Sequence, residues 1–129
     1  MEENKLREAE LLLHIYELYS ADSMVEAFMW CIKGFQAENL KDFEELYPVG
    51  SDGRKRFFRA GDFLDLLGTF LRREYLPKVV LIDFCPDEVK SFWKIARKIV
   101  IQARKKWNEP NLYSELEFLN NEIEKSRNA

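Results

Sequence analysis

Apolar residues recur at helical spacing from the beginning of the chain. A seventeen-residue stretch, 3–19, places charged residues on one side and an apolar stripe on the other. This amphipathic pattern predicts a first helix. The apolar stripe consists of Leu6, Ala9, Leu13 and Tyr16, which follow 3-4-3 spacing. Leu12, Ile15 and Tyr19 widen it.

The segment 25–32 is apolar almost without interruption, which predicts a second helix over about 23–35. Because such a helix has no polar side, we expect it to be buried. Ser23 and Glu26 have the spacing of a capping box, in which each side chain satisfies a backbone N–H of the first turn. A short third helix over about 40–47 should end before Pro48, since the residue before a proline avoids the α region.

A long amphipathic stretch over about 54–74 predicts a fourth helix, which follows the loop 49–53. Its two adjacent apolar stripes suggest that it lies at the centre of the bundle. Gly61 and Gly68 interrupt it, and each costs up to about 1 kcal/mol relative to alanine in a helix interior. We therefore expect a neighbouring helix to approach closely at these glycines.

The segment 79–84 is short and β-branched, so the residues alone leave strand and helix open. Pro86 and the acids after it predict the start of a helix that runs to about 107. A last helix is expected over about 112–125. A single candidate strand cannot form a sheet, so the pattern predicts one all-α domain over 1–129, a compact, irregular or orthogonal bundle of about five to seven helices.

The part of the chain over about 40–124 resembles a family of small helical proteins of unknown function found in bacteria and archaea. Some members carry an N-terminal membrane helix, and we expect none here because no hydrophobic anchor precedes the first predicted helix. The resemblance implies that 79–84 is helical and that Arg104 and Glu117 pair between the last two helices; it implies no activity. It depends on diffuse motifs, namely Phe63-Leu64-Asp65-Leu66-Leu67-Gly68, Arg72-Arg73, Val79–Phe84, Phe92-Trp93, Arg104, Tyr113 and Glu117-Phe118-Leu119.

The composition indicates the class of protein and its compartment but no function. The chain has 20 lysines and arginines against 23 aspartates and glutamates, so its net charge of −3 gives no overall attraction to nucleic acid. Its first residues do not have the pattern of a signal peptide, and no apolar stretch is long enough to span a membrane, so we expect neither. The two cysteines, Cys31 and Cys85, fit buried thiols in a reducing compartment. We therefore expect a soluble, cytoplasmic protein.

The segment 50–56 is the strongest motif for ligand binding, because glycines and cations at a helix start can hold a phosphate. Its Gly-x-x-Gly spacing also occurs in loops that clamp a nucleic-acid backbone. Asp52 within the loop weakens this interpretation, and an ordinary turn explains the glycines more simply. The predicted helix that starts at Pro86 adds a basic side to this motif. The candidate anion or nucleic-acid contacts are Gly50, Gly53, Arg54, Lys55, Arg56, Lys94, Arg97 and Arg104.

Carboxylates and the one histidine offer weak signals for a metal or an enzyme. His14 lies between Glu10 and Glu17 on the polar side of the first helix, but no second histidine exists to complete a helical metal site. Asp62 and Asp65 lie close together on the fourth helix, where ion pairs with Arg59 and Arg72 would explain them. We therefore predict no catalytic residues, metal or cofactor.

Three functions remain open from the sequence. The first is a non-enzymatic protein-interaction or regulatory domain that binds a protein partner or itself, because the aromatic content of 14% and the apolar second helix exceed what a small bundle hides easily. The second is nucleic-acid binding through the basic side and the glycine loop. The third, an enzyme that uses carboxylates with a divalent metal, has the weakest support.

Overall fold

A computed structural model describes residues 2–128. These residues form seven helices, and no strand occurs within that range. This confirms the predicted all-α class and the predicted number of helices. The elements are α1 (Glu2–Ser20), α2 (Asp22–Lys33), α3 (Leu40–Leu46), α4 (Asp52–Arg72), α5 (Lys78–Phe84), α6 (Pro86–Lys106) and α7 (Ser114–Asn128).

Helix α4 lies at the centre of the bundle, as its two apolar stripes predicted. It packs against α2, α5, α6 and α7, while α6 also contacts α2, α3 and α7. Aromatic rings fill the space between these helices. The ring of Phe57 on α4 lies 4.8 Å from that of Phe43 on α3 and 5.0 Å from that of Phe92 on α6. Such pairs add to the free energy gained by burial alone.

Gly61 and Gly68 of α4 lie where Tyr113 and the start of α7 approach closely. Gly61 faces the ring of Tyr113, and Gly68 faces the backbone of Glu115. A side chain at either position would occupy the space of these neighbours. The expected close approach of a helix is confirmed at Gly68, while the neighbour of Gly61 is the ring of Tyr113, which directly precedes α7.

The β-branched segment left open by the sequence is the helix α5, as the resemblance implied. Pro77 precedes it in an extended conformation, and its buried residues are Leu81 and Ile82. Helix α5 packs against α4 and α7. Val79, whose branched side chain favoured a strand, is 64% exposed and does not contribute to the core.

Helix α2 departs from the prediction in two ways. It begins one residue before Ser23, with Ala21 at its N-cap and no capping side chain. Ser23 Oγ instead accepts a hydrogen bond from Arg59 Nη1 at 3.3 Å. The expectation that α2 is buried all round is also wrong, because only one side of it faces the bundle. That side consists of Met24, Ala27, Phe28 and Cys31.

None of the helices within residues 2–128 is long and apolar enough to cross a membrane.

Candidate functional site

The glycine loop before α4 is a helix-capping turn. Gly50 has a φ of 89°, a conformation that glycine adopts without strain. Ser51 caps the helix, since its Oγ accepts the backbone N–H of Arg54 at 3.3 Å. Gly53 already belongs to α4 and faces the rings of Tyr47 and Trp30. Each of these residues has a local structural role.

Arg54, the first cation of the motif, is turned into the protein. Its guanidinium carbon lies 5.3 Å from the ring centre of Phe43, 5.7 Å from that of Phe58 and 5.3 Å from that of Trp107. Its Nη1 also donates a hydrogen bond to the carbonyl oxygen of Tyr47 at 3.4 Å. The charge is therefore held by aromatic rings from α3, α4 and the end of α6.

Two further candidate cations are engaged in ion pairs. Arg56 Nη2 lies 2.6 Å from Glu26 Oε1 on α2. Arg104 Nη2 lies 3.0 Å from Glu117 Oε1, and Arg104 Nε donates to the carbonyl oxygen of Leu112 at 2.8 Å. These contacts tie α4 to α2 and α6 to α7.

The remaining candidates, Lys55, Lys94 and Arg97, are exposed and form no ion pair with any described acidic group. Lys55 belongs to the segment 50–56, whereas Lys94 and Arg97 lie on α6. Trp107, next to Arg54, lies ten residues beyond Arg97, which corresponds to about 15 Å along a helix. Along α6, Lys94 and Arg97 thus lie about three turns or more from the ring that contacts Arg54, while Arg104 and Lys105 lie within about one turn of it.

The basic side of α6 borders a groove of about 790 Å³ between α3 and α6. Lys98 and Lys105 line it from α6 and have no ion-pair partner among the described residues. Glu44 of α3 lies 2.7 Å from Lys106 Nζ across the same groove. The groove therefore carries both signs of charge, with an excess of cations on α6.

Mutation of Arg54 tests whether this residue stabilises the fold. Replacing Arg54 by alanine should lower the free energy of unfolding by about 1 kcal/mol, because its contacts with three rings are lost. Replacing the neighbouring Lys55 by alanine should change it by less than about 0.5 kcal/mol, since Lys55 is exposed. Urea denaturation followed by circular dichroism measures both. Equal stability of the two variants would contradict the structural role of Arg54.

Asp62 and Asp65 support the start of α7 and do not form the predicted ion pairs within α4. Asp62 Oδ1 accepts the hydroxyl hydrogen of Tyr113 at 2.7 Å, and Asp65 Oδ1 accepts the backbone N–H of Leu116 at 2.9 Å. Burial is the main cause that raises the pKa of Asp65, and the bond from Leu116 opposes it. Burial and the nearby Asp62 raise the pKa of Tyr113.

The two arginines expected to pair with these aspartates contact other helices. Arg59 donates to Ser23 of α2. Arg72 Nε lies 2.8 Å from Glu115 Oε1 in α7, and its guanidinium stacks 4.1 Å from the ring centre of Phe118. Asp65 is thus explained by capping of α7, and Asp62 by its hydrogen bond with the Tyr113 hydroxyl.

The histidine and the cysteines show no arrangement for chemistry. The His14 side chain is 74% exposed, and its Nδ1 lies 3.6 Å from Glu17 Oε2. Cys31 and Cys85 are buried, and burial raises the pKa of the Cys31 thiol to about 12. Burial likewise raises the pKa of Cys85, with the nearby Glu88 as a second cause. Across 2–128, no cluster of three or more acidic, histidine or cysteine side chains could hold a metal ion.

The outer side of α2 is the surface that sequence reasoning placed in the core. Val25, Met29 and Ile32, here called the α2 stripe, are 45%, 52% and 54% exposed. They follow one another at 4-3 spacing and so share one side of the helix. Val25 and Met29 also line an apolar groove of about 600 Å³ together with Trp30. The only signal in the sequence was the excess of apolar residues in α2.

Comparison of the chain with protein-family models, with curated proteins and with solved structures gives no match in any of the three. The resemblance to a family of small helical proteins therefore stays a prediction. Evidence for a function comes from the surfaces of the molecule alone.

Proposed function

We propose that this protein is a non-enzymatic protein-interaction domain that works in the cytoplasm. The observation that carries the proposal is the α2 stripe and the groove beside it. Contiguous apolar surface costs free energy when it stays in water, and such surfaces mark sites of association. Methionine suits such a site because its flexible thioether adapts to different partners.

The surroundings of the α2 stripe also favour a protein partner. Charged residues frame the apolar groove, with Asp22 and Glu26 on α2, Lys33 at its end and Arg56 on α4. An apolar centre with a polar rim is the usual arrangement of a protein–protein interface. We infer that the partner presents an apolar helix or segment to this groove.

Mutation of the α2 stripe should abolish partner binding without unfolding the protein. A Met29→Glu/Ile32→Glu variant places two charges in the proposed contact, and we expect its affinity for the partner to fall more than tenfold. Val79→Glu is the matched control, because Val79 is equally apolar and is 64% exposed on a different helix. Affinity purification from native lysate, followed by titration of the purified partner, measures the effect.

The design separates loss of binding from loss of fold. Circular dichroism and thermal unfolding of both variants should match those of the wild type, because the substituted side chains are exposed. A partner that binds both variants as tightly as the wild type would contradict the role of the α2 stripe.

Nucleic-acid binding is the second candidate, favoured by the four cations without ion pairs on α6. These are Lys94, Arg97, Lys98 and Lys105. Nuclease treatment of half of the lysate discriminates the two proposals. Partners that survive nuclease support protein interaction, and co-purifying nucleic acid that is released by salt would support the alternative.

A further inference from the structure

Helix α1 presents a second apolar surface, most of which is exposed. Leu6 is 63% exposed, Leu13 and Tyr16 are each 58% exposed, and Ala9 between them is exposed as well. We call these four residues the α1 seam. Their 3-4-3 spacing is that of the a and d positions of a heptad, with Leu6 and Leu13 at a and Ala9 and Tyr16 at d.

The buried contacts of α1 are made by a different side of the helix. Ile15 is the buried residue of this helix, and it lies two positions after Leu13, about 200° further around the axis. Tyr19 packs its ring near Phe63 and Phe84 and donates its hydroxyl hydrogen to Glu88. The ring of Tyr16, at the end of the α1 seam, also lies edge-on to that of Phe84 on α5, at 6.4 Å. These contacts fix the orientation of the helix and leave the α1 seam largely exposed.

A heptad seam is complementary to a copy of itself. In a parallel pair, each a or d residue meets the same residue of the other helix, and small Ala9 lets the helices approach. The two copies would be related by a two-fold axis, which closes the assembly at a dimer. The α1 seam therefore has a suitable occupant in a second molecule of the same chain.

The charges beside the α1 seam favour the parallel arrangement. Lys5 occupies a g position and Glu10 the following e position, a combination that pairs between parallel helices. Glu3 and Glu17 continue the e row, so an antiparallel pair would place this acidic row against itself. Neither Lys5 nor Glu10 forms an ion pair within residues 2–128, which leaves both free for the second copy.

We propose that the protein self-associates through parallel pairing of α1 with α1 of a second copy. The inference rests on the proposed function, since self-association is one form of protein interaction, but it uses the α1 seam and not the α2 stripe. Two heptads bury less than the roughly 800 Å² per partner of a standard interface. We therefore expect a reversible dimer that forms at micromolar to millimolar concentration.

Single cysteines introduced along α1 test the pairing and its direction. Leu6→Cys and Leu13→Cys should each form a disulfide-linked dimer, because equivalent a positions face each other in a parallel pair. Oxidised glutathione accepts the two electrons released by each pair of thiols. His14→Cys is the control, since His14 is exposed next to Leu13 but points about 100° away from the α1 seam. The native thiols of Cys31 and Cys85 are buried and give little background.

The same variants exclude the other arrangements. In a parallel pair, a mixture of Leu6→Cys and Leu13→Cys chains links each variant mainly to itself. In an antiparallel pair each a position faces a d position, so a further Tyr16→Cys chain that links preferentially to Leu6→Cys would show antiparallel helices and overturn the proposal. Equal linkage of His14→Cys and Leu13→Cys would mean random collision and would also overturn it.

Charge reversal provides an independent readout by analytical ultracentrifugation. Lys5→Glu should weaken the dimer about fivefold, because two cross-pairs become repulsive. The double variant Lys5→Glu/Glu10→Lys should restore the dimer. A chain that stays monomeric up to about 1 mM, in the range of weak complexes, overturns self-association. If the α2 stripe still captures a partner in that case, the proposed function survives without this inference.

Discussion

Replacing Gly68 by alanine is expected to lower the free energy of unfolding by about 3 kcal/mol. The sign is opposite to that expected from helix propensity, since alanine normally stabilises a helix interior by up to about 1 kcal/mol relative to glycine. The new Cβ would collide with the backbone carbonyl of Glu115. A backbone group at the start of α7 cannot rotate away, so α4 and α7 would have to separate.

Gly61→Ala is the informative comparison for this effect. The neighbour of Gly61 is the side chain of Tyr113, which can shift more easily than a backbone carbonyl. We expect its cost to be smaller, about 1–2 kcal/mol. Urea denaturation of both variants, with circular dichroism at 222 nm as the signal, gives the difference. A Gly68→Ala protein more stable than the wild type would refute the close contact with Glu115.

Glycines and apolar periodicity carried most of the fold information in the sequence. Two glycines in a strong amphipathic pattern predicted a close helix approach, because their cost in propensity demands a gain elsewhere. The identity of the neighbour was not predictable, since Tyr113 and Glu115 lie about fifty residues further along the chain. A glycine in a helical pattern indicates that another part of the chain must come close. Which residue fills that space depends on how the helices pack, and this cannot be read from the neighbouring sequence.

Helix α2 shows where hydrophobic content misleads. Its apolar run correctly predicted a helix, but burial depends on how many neighbours surround it, which content alone does not determine. Only one side of α2 faces α4 and α6, so Val25, Met29 and Ile32 remain exposed. The sequence predicted both that the chain has more apolar surface than the bundle can hide and that α2 is fully buried. These two predictions conflict, and the structure agrees with the prediction of excess apolar surface.

The candidate anion motif failed to predict the role of Arg54 for a related reason. The spacing of glycines and cations in 50–56 fits phosphate binding, but it says nothing of the surrounding rings. Phe43 and Trp107, which hold the guanidinium, come from α3 and the end of α6. Whether a cation in such a motif is free to bind an anion can therefore be judged only when the residues packed against it are known.

The largest effect after Gly68 is expected at Asp65. Asp65→Ala should lower the free energy of unfolding by about 2 kcal/mol, because it removes the acceptor for the backbone N–H of the buried Leu116 at the start of α7. Asp65→Asn should change it by less than about 1 kcal/mol, since the amide oxygen can accept the same hydrogen bond. Chemical denaturation at neutral pH ranks the three proteins.

The pH dependence of these proteins separates the hydrogen bond from the charge. The pKa of Asp65 is raised in the folded state, mainly by burial, so the folded protein binds its proton more tightly than the unfolded chain. The stability that this proton contributes is present below the unfolded pKa of about 3.9 and is lost as the pH rises through the folded value. Asp65→Asn has no such loss.

The stability of Asp65→Asn relative to the wild type should therefore rise between pH 3 and pH 7. Asp65→Ala shows the same pH trend but from a lower starting point, because it lacks both the charge and the acceptor. Denaturation curves collected in parallel across this range measure the two differences. If the difference between Asp65→Asn and the wild type falls with rising pH, the carboxylate is stabilised by its surroundings and the buried-charge account of this contact is wrong.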